Sequence, residues 1–376
     1  MSSAPVAAAP PRPASILSPA VDLLLVGGLS LVVFVPLLLS GREELGFVSI
    51  GALAWAQILV NMSHFMASYR IVYRDRAMIL KHRWATIGVP LILFLYILVA
   101  IEQARTGTAI LVGLLVAVSS GYLAWHYTGQ VWGMMASFSW LGGLRFEAGE
   151  RRLIRASLRI LLGWHVVWAA HIWLGQTSLG EPPWMQTLYR VAGVAALSAL
   201  GVGAAGMLRV RRRTGRFLPA RAVVPWIAIF AWYAVMARFG LAGLFLVQLA
   251  HAVQYLEFPA RIELNRATRA SPGGAPWHML WYALVLVGVS FIVTQFVPGP
   301  AMSSIAGVVD GQQRSVVPVL ILTFINIHHY FTDGVIWKIS NPEVRRDLFA
   351  HVEGTASAAA APARRESRKE PAKVTR

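Results

Sequence analysis

Apolar residues fill this chain in long runs, broken by short polar stretches rich in Arg, Lys, Gly and Pro. Ten runs stand out: Val21–Leu39, Ser49–Tyr73, Ala85–Ile101, Thr108–Met135, Ala156–Leu174, Leu188–Leu208, Val223–Ala237, Leu241–Phe258, Trp277–Val297 and Ser315–Trp337. Most match the length a helix needs to cross the roughly 30 Å hydrocarbon core of a bilayer. Pro90 and Pro225 fall near run starts, where proline is tolerated, and Pro36 falls near an end. The pattern predicts an all-α fold, a polytopic transmembrane helix bundle of about ten spans.

The polar breaks add a direction. Arg74–Arg83, Arg145–Arg155, Arg209–Arg221, Arg261–Arg269 and Lys338–Arg346 are basic. The breaks between them, Gly41–Gly46, Glu102–Gly107, Gly175–Thr187, the turn at Arg238 and Pro298–Arg314, are poor in basic residues. Strict alternation of this kind places the basic loops, and with them both termini, in the cytoplasm. The chain then divides into a tail over 1–20, a helical bundle over 21–338 and a basic cytoplasmic tail over 339–376. Met1–Pro19 is Ala/Pro-rich without a hydrophobic core, so it reads as a disordered tail and not as a cleavable signal peptide. The Ala-rich, then basic stretch from Gly354 also reads as disordered. The expected location is a bacterial inner membrane.

Composition agrees with this and narrows the chemistry. Of 376 residues, 56% are hydrophobic and 14% charged, against about 25% charged in soluble domains. Cysteine is absent, which excludes disulfides, iron–sulfur clusters, thiolate metal sites and cysteine nucleophiles. A net charge of +17 would fit nucleic-acid binding, but the cations sit in short loops between apolar runs, as membrane topology requires. Nucleic acid is therefore not an expected partner.

Histidine is the residue out of place. His329 and Asp333, four apart in the last run, share a helix face, and His328 points about 100° away. Ionisable side chains within spans are costly and mark functional sites. His64 and His251 lie ten residues before the first basic residue of their loops, Arg74 and Arg261; His328 lies ten before Lys338, and His165 ten after Arg155. At 1.5 Å per residue each is about 15 Å from its anchor. His126 is farther from Arg145, but its run is overlong, and Gly129 and Gly133 offer a kink that would correct its depth.

Each of these histidines has polar company at helical spacing. Asn61 and Ser68 flank His64, Tyr127 and Gln130 follow His126, Gln254 and Tyr255 follow His251, and Asn326 and Asp333 flank His329. In a structural reading these groups only join helices by hydrogen bonds in lipid. In a functional reading His64, His126, His251, His328 and His329 supply metal ligands, with Asn61, Gln130 and Gln254 orienting the rings from behind. Asp333 is then a ligand or a carboxylate behind one, and Tyr127 and Tyr255 are proton donors. His165 and Glu257 have no assigned role. His82, His278 and His351, in or beside loops, are expected to be solvated.

Imidazoles with a carboxylate and no thiolate suit iron, and also zinc or copper. A zinc hydrolase of the His-Glu-x-x-His type is not encoded. A site walled by apolar residues implies a lipid or isoprenoid substrate. The expected function is a membrane-embedded, histidine-ligated non-haem metalloenzyme, iron- and oxygen-dependent, performing hydroxylation, desaturation or double-bond cleavage with a redox partner where electrons are needed. In residue types, with single histidines spread over several spans, the chain resembles the membrane histidine-cluster iron enzymes, namely fatty-acid desaturases and hydroxylases and the bacterial carotene-cleaving dioxygenases. The blocks Asn61–Phe65, His126–Gln130 and His328–Phe331 have the look of a family signature but match no motif of these enzymes. The His-x-x-His-His boxes of the desaturases are missing, so no residue role is carried over. Two rival classes remain: a b-haem protein with axial histidines on two spans, and an ion-coupled transporter using His, Asp333 and Glu257 as a relay.

Overall fold

The computed structural model describes residues 15–42, 44–45, 52, 55–175, 180–295, 307–309, 312–314, 316–337 and 344–352. Most of both expected tails, the start of the run at Ser49, the end of the run at Val297, Ser315, most of Pro298–Arg314 and Lys338 lie outside these residues.

Helices dominate the described residues. They are α1 (Pro19–Leu39), α2 (Ser63–Tyr73, entered through a π-turn at Gln57–Met62), α3 (Arg76–Lys81), α4 (Trp84–Arg105), α5 (Ile110–Leu141), α6 (Ala148–Gly175), α7 (Pro183–Thr214), α8 (Ala220–Ala270), α9 (Ala275–Gln295) and α10 (Val316–Ile336). Residues 344–352 form a short helical segment. The exception is a small antiparallel ribbon, β1 (Gly307–Val309) with β2 (Gln312–Arg314). Eight helices, α1 and α4–α10, are long and apolar enough to cross a membrane. Their outward faces carry large apolar side chains such as Leu91, Phe94, Val194, Leu197 and Leu284, which a water-soluble surface would not tolerate in such number.

Two expected spans, Val223–Ala237 and Leu241–Phe258, form one run of helical turns broken at Gly240, whose φ of 57° and ψ of −130° leave the helix. A Cβ built on Gly243 would strike the Val235 carbonyl, eight residues back. In an unbroken helix those residues would be about 12 Å apart, so Gly240 turns the chain back on itself. The second half continues past Phe258 to Ala270, through Pro259. A similar break at Gly27 (φ 141°) bends α1 against Ala228 and frees the Val26 carbonyl, which accepts the Gln254 amide.

The expected kink in α5 is absent. The helix passes through Gly129 and Gly133 without a break, because α5 runs on to Leu141 and the loop before Arg145 begins only there. The depth difference for His126 came from that extra length.

Four helices form the centre. α5 packs on α8 and α10, and α2 packs on the same two, so α5, α8, α2 and α10 close a ring. The most apolar window of α10 is 56% buried, against 17% for α7 and α9, which marks α10 as the axis of the bundle. Ion pairs tie the basic loops together at one end. Arg70 and Arg74 meet Glu263, Arg213 meets Glu150, Arg221 meets Asp22, and Arg266 and Arg269 meet Asp347. His278, exposed as expected, and His351, which is half-buried, join this layer through Glu263 and the Ser15 carbonyl.

Candidate metal centre

The four central helices each contribute one histidine to a single cluster. His64 from α2, His126 from α5, His251 from α8 and His329 from α10 are all buried, and one ring nitrogen from each lies within 4.8 Å of the others. The rings follow the order of the helices. Centroids are 5.1 Å apart for His64–His251, 4.7 Å for His251–His126, 5.0 Å for His126–His329 and 4.7 Å for His329–His64. Neighbouring planes cross at 72–88°, edge to face, so nitrogens and not ring faces converge.

A second layer lies one turn further along the same helices. Ser68, Gln130, Tyr255 and Asp333 each follow a cluster histidine by four residues. Ser68 and Tyr255 donate to Asp333 Oδ1, at 2.9 and 2.8 Å, and Trp337 Nε1 donates to the Tyr255 hydroxyl at 2.7 Å. With Oδ1 held, Oδ2 faces the histidines, 3.3 Å from His329 Nε2 and 3.7 Å from His126 Nδ1. Three helices can bring this second layer together only if they run in the same direction past the site, since the Cβ row of each climbs along its own axis.

The donor set fits a metal ion. Both ring nitrogens of His64 and His329, and Nδ1 of His251, are buried without a hydrogen bond among the described residues. An orphaned polar atom in a dry core costs about 1–3 kcal/mol, and a cation satisfies several lone pairs at once. His126 Nε2 and His251 Nε2 are 3.0 Å apart, the spacing of adjacent ligands on one ion. Imidazole nitrogens sit about 2.0–2.1 Å from a transition-metal ion, so two on opposite sides are at most about 4.2 Å apart. A contraction of at most about 0.6 Å brings the widest pair into range.

The structure separates the other residues singled out in the sequence. His328 turns from the cluster into a tyrosine clamp, with Nδ1 3.1 Å from the Tyr69 hydroxyl and Nε2 3.0 Å from that of Tyr73. His165, matched to the cluster by its sequence spacing, lies on α6 beside Tyr233 at 3.3 Å. Gln130 and Gln254 brace backbone instead of imidazole. Gln130 donates to the His251 carbonyl and to Gln254, and Gln254 holds the bend at Val26, so α5, α8 and α1 are tied beside the cluster. Asn61 is half-buried and gives no side-chain hydrogen bond to the rings. Tyr127 packs its ring on His251 at 4.6 Å, and its buried hydroxyl has no hydrogen-bond partner among the described residues. Glu257 is buried away from the histidines, near Asp22. Trp337 was not singled out in the sequence, although its place four after Asp333 marks it in hindsight.

His126 and Asp333 also line a cavity of about 230 Å³ that runs between α5, α8, α10 and the segment 344–352. The cluster is therefore open on one side. No family model, no curated protein and no solved structure matches the chain.

Proposed function

We propose that the protein is a membrane-embedded, non-haem metalloenzyme that uses iron and oxygen to oxidise a lipid or isoprenoid by hydroxylation, desaturation or double-bond cleavage. We place it in a bacterial inner membrane, with ten spans and both termini in the cytoplasm, and with a redox partner where the reaction requires electrons. The observation that carries the reading is the ring of four buried, largely unpartnered histidines with one side open to an apolar cavity. A structural ion would be closed on all sides.

His64, His126, His251 and His329 would hold the ion through neutral imidazoles, and an iron ion there would supply the oxygen chemistry. Asp333 presents Oδ2 to the same space and completes the ligand set or fixes His329. Tyr255 holds a proton at Asp333 Oδ1 and is the group placed to pass one inward. Phe65, with its ring 4.1 Å from His64 and 4.6 Å from His329, keeps water from the far side. Packing of the four nitrogens within 4.8 Å leaves no slot for a porphyrin between opposed ligands, which disfavours b-haem.

The test is metal analysis and a visible spectrum of the purified protein, with His64, His126, His251 and His329 replaced singly by Ala. Bound iron without a Soret band, lost in each variant, is the expected result. A parent protein without metal, or four variants with undiminished metal, would overturn the reading in favour of a transporter or a structural protein.

A further inference from the structure

The cavity at the cluster has a second neighbour. A larger cavity, of about 990 Å³, lies between α4, α5 and α10, with Lys81 to Arg83 and Leu162 of α6 also on its wall. Two residues line both spaces, Trp125 and Gly334. A Cβ built on Gly334 would stand 3.7 Å from the tip of the Trp125 indole, so that ring lies directly over the glycine. The two volumes therefore meet at an indole over a bare backbone.

The face of α5 that lines them is built to stay empty. Gly121, Trp125, Gly129 and Gly133 follow at intervals of four, on one helix face. A Cβ at Gly121, Gly129 or Gly133 would meet nothing within 4 Å. The glycines therefore serve neither a kink nor close helix packing; they leave a groove. Its inner end is His126 and Asp333, beside Trp125. Its outer end, near Ser137, is lined by Phe349 and Arg345 of the segment 344–352. Eleven residues of α5 separate His126 from Ser137, or about 16 Å. Arg345 stacks on Trp140 at 5.4 Å and makes no ion pair among the described residues. A cation thus stands at one end of an apolar groove, with the histidines at the other.

We propose that this groove takes one linear apolar chain with an anionic head. Arg345 receives the head, the tail lies along Gly133 and Gly129, and its far carbons reach Asp333 and His126. Trp125 is the end-stop that sets the accepted chain length. The proposal rests on the reading of the four-histidine site as a reaction centre, but occupancy of the groove is measurable without metal or turnover.

The probes are straight-chain fatty acids of graded length with a diazirine near the tail, photolysed on the detergent-purified full-length protein. Labelled peptides are mapped by mass spectrometry, and an unlabelled fatty acid or its alcohol is the competitor. The expected result is labelling of α5 and α10 around Trp125 and Gly334, removed by the acid more effectively than by the alcohol. Gly133→Phe should abolish that labelling while metal content is retained. Trp125→Ala should admit longer probes and move the label to residues of the larger cavity, such as Tyr122 and Phe331. Labelling confined to outward faces and unchanged in Gly133→Phe would overturn the proposal. So would an unchanged length limit in Trp125→Ala. Absence of metal with normal groove labelling would instead defeat only the enzymatic reading.

Discussion

Asp333 Oδ2 lies 3.3 Å from Nε2 of His329, one helical turn earlier, while Oδ1 is fixed by Ser68 and Tyr255 from two other helices. One carboxylate therefore links the histidine layer to the hydrogen-bonded layer beside it. Asp333→Asn keeps the shape but replaces one acceptor oxygen by a donor and removes the charge. Groups that orient metal ligands typically contribute 10–100-fold to metal affinity, so a loss of about that size is expected. Chelator competition on the purified variant measures it. Equal retention of metal in variant and parent would assign Asp333 to helix packing alone.

Adjacent residues should behave oppositely. His329 points into the cluster, whereas His328 is held by Tyr69 and Tyr73. Each hydroxyl also lies within hydrogen-bond reach of a carbonyl, Tyr69 of Ile325 and Tyr73 of Thr86, and can give its one proton there when the imidazole is removed. His328→Phe should therefore retain full metal content and lose about 1 kcal/mol of stability. His329→Ala should lose the metal. Loss of metal in both would bring His328 into the ligand set.

Much of this arrangement is legible in sequence because helical spacing and burial cost are local rules. His64 with Ser68, His251 with Tyr255 and His329 with Asp333 each repeat an i, i+4 pair inside an apolar run, and all three pairs meet at the site. What the sequence leaves open is azimuth. His165 has the right sequence spacing but sits on α6, outside the inner ring of helices, and spacing alone cannot show that. The choice between His328 and His329 depends on which face of α10 turns inward between α2 and α5, where His329 meets His64 and His126, while His328 meets Tyr69 and Tyr73 of α2. Gln130 and Gln254 have the right type to orient imidazoles, but the bend at Gly27 offers a bare carbonyl that claims one of them. Gly129 and Gly133 read as a kink because a glycine pair has several uses, and only the neighbouring helices reveal an open groove.

The segment 344–352 closes the outer end of the groove, and its anchor is electrostatic. Burial works against ionisation of Asp347, yet hydrogen bonds and ion pairs from Arg266 and Arg269 outweigh it and hold the carboxyl below the ordinary aspartate range. A depressed folded-state pKa gives stability that is present above the unfolded value, about 3.9, and lost as pH falls through the folded one. Burial also holds the His351 imidazole of the same segment below its ordinary value. Docking should therefore begin to weaken as pH falls below about 6.5 and weaken again below about 4, where Asp347 is protonated. Asp347→Asn should reproduce the second of these steps at pH 7. Amide exchange over 344–352, corrected for intrinsic rates, reports both. Protection unchanged in Asp347→Asn would show that packing of Leu348 and Phe349, with the Asn265 amide on the Asp347 and Leu348 carbonyls, holds the segment without the ion pairs.

Two buried tyrosines near the cluster should separate in the same way. The Tyr127 hydroxyl has no hydrogen-bond partner among the described residues, although its ring packs on His251. Removing an unsatisfied buried hydroxyl while keeping the ring relieves a desolvation cost of about 1–3 kcal/mol. Tyr127→Phe should therefore unfold no earlier than the parent in detergent and keep its metal. Tyr255 is connected on both sides, donating to Asp333 and accepting from Trp337. Tyr255→Phe leaves the Trp337 N–H without that acceptor and Asp333 Oδ1 with Ser68 as its remaining donor. It should cost about 1–3 kcal/mol and loosen the carboxylate that faces His329. Thermal unfolding with chelator competition tests both variants. A destabilised Tyr127→Phe beside an unaffected Tyr255→Phe would reverse the roles assigned to them, and would point to a proton path on the Tyr127 side of His251.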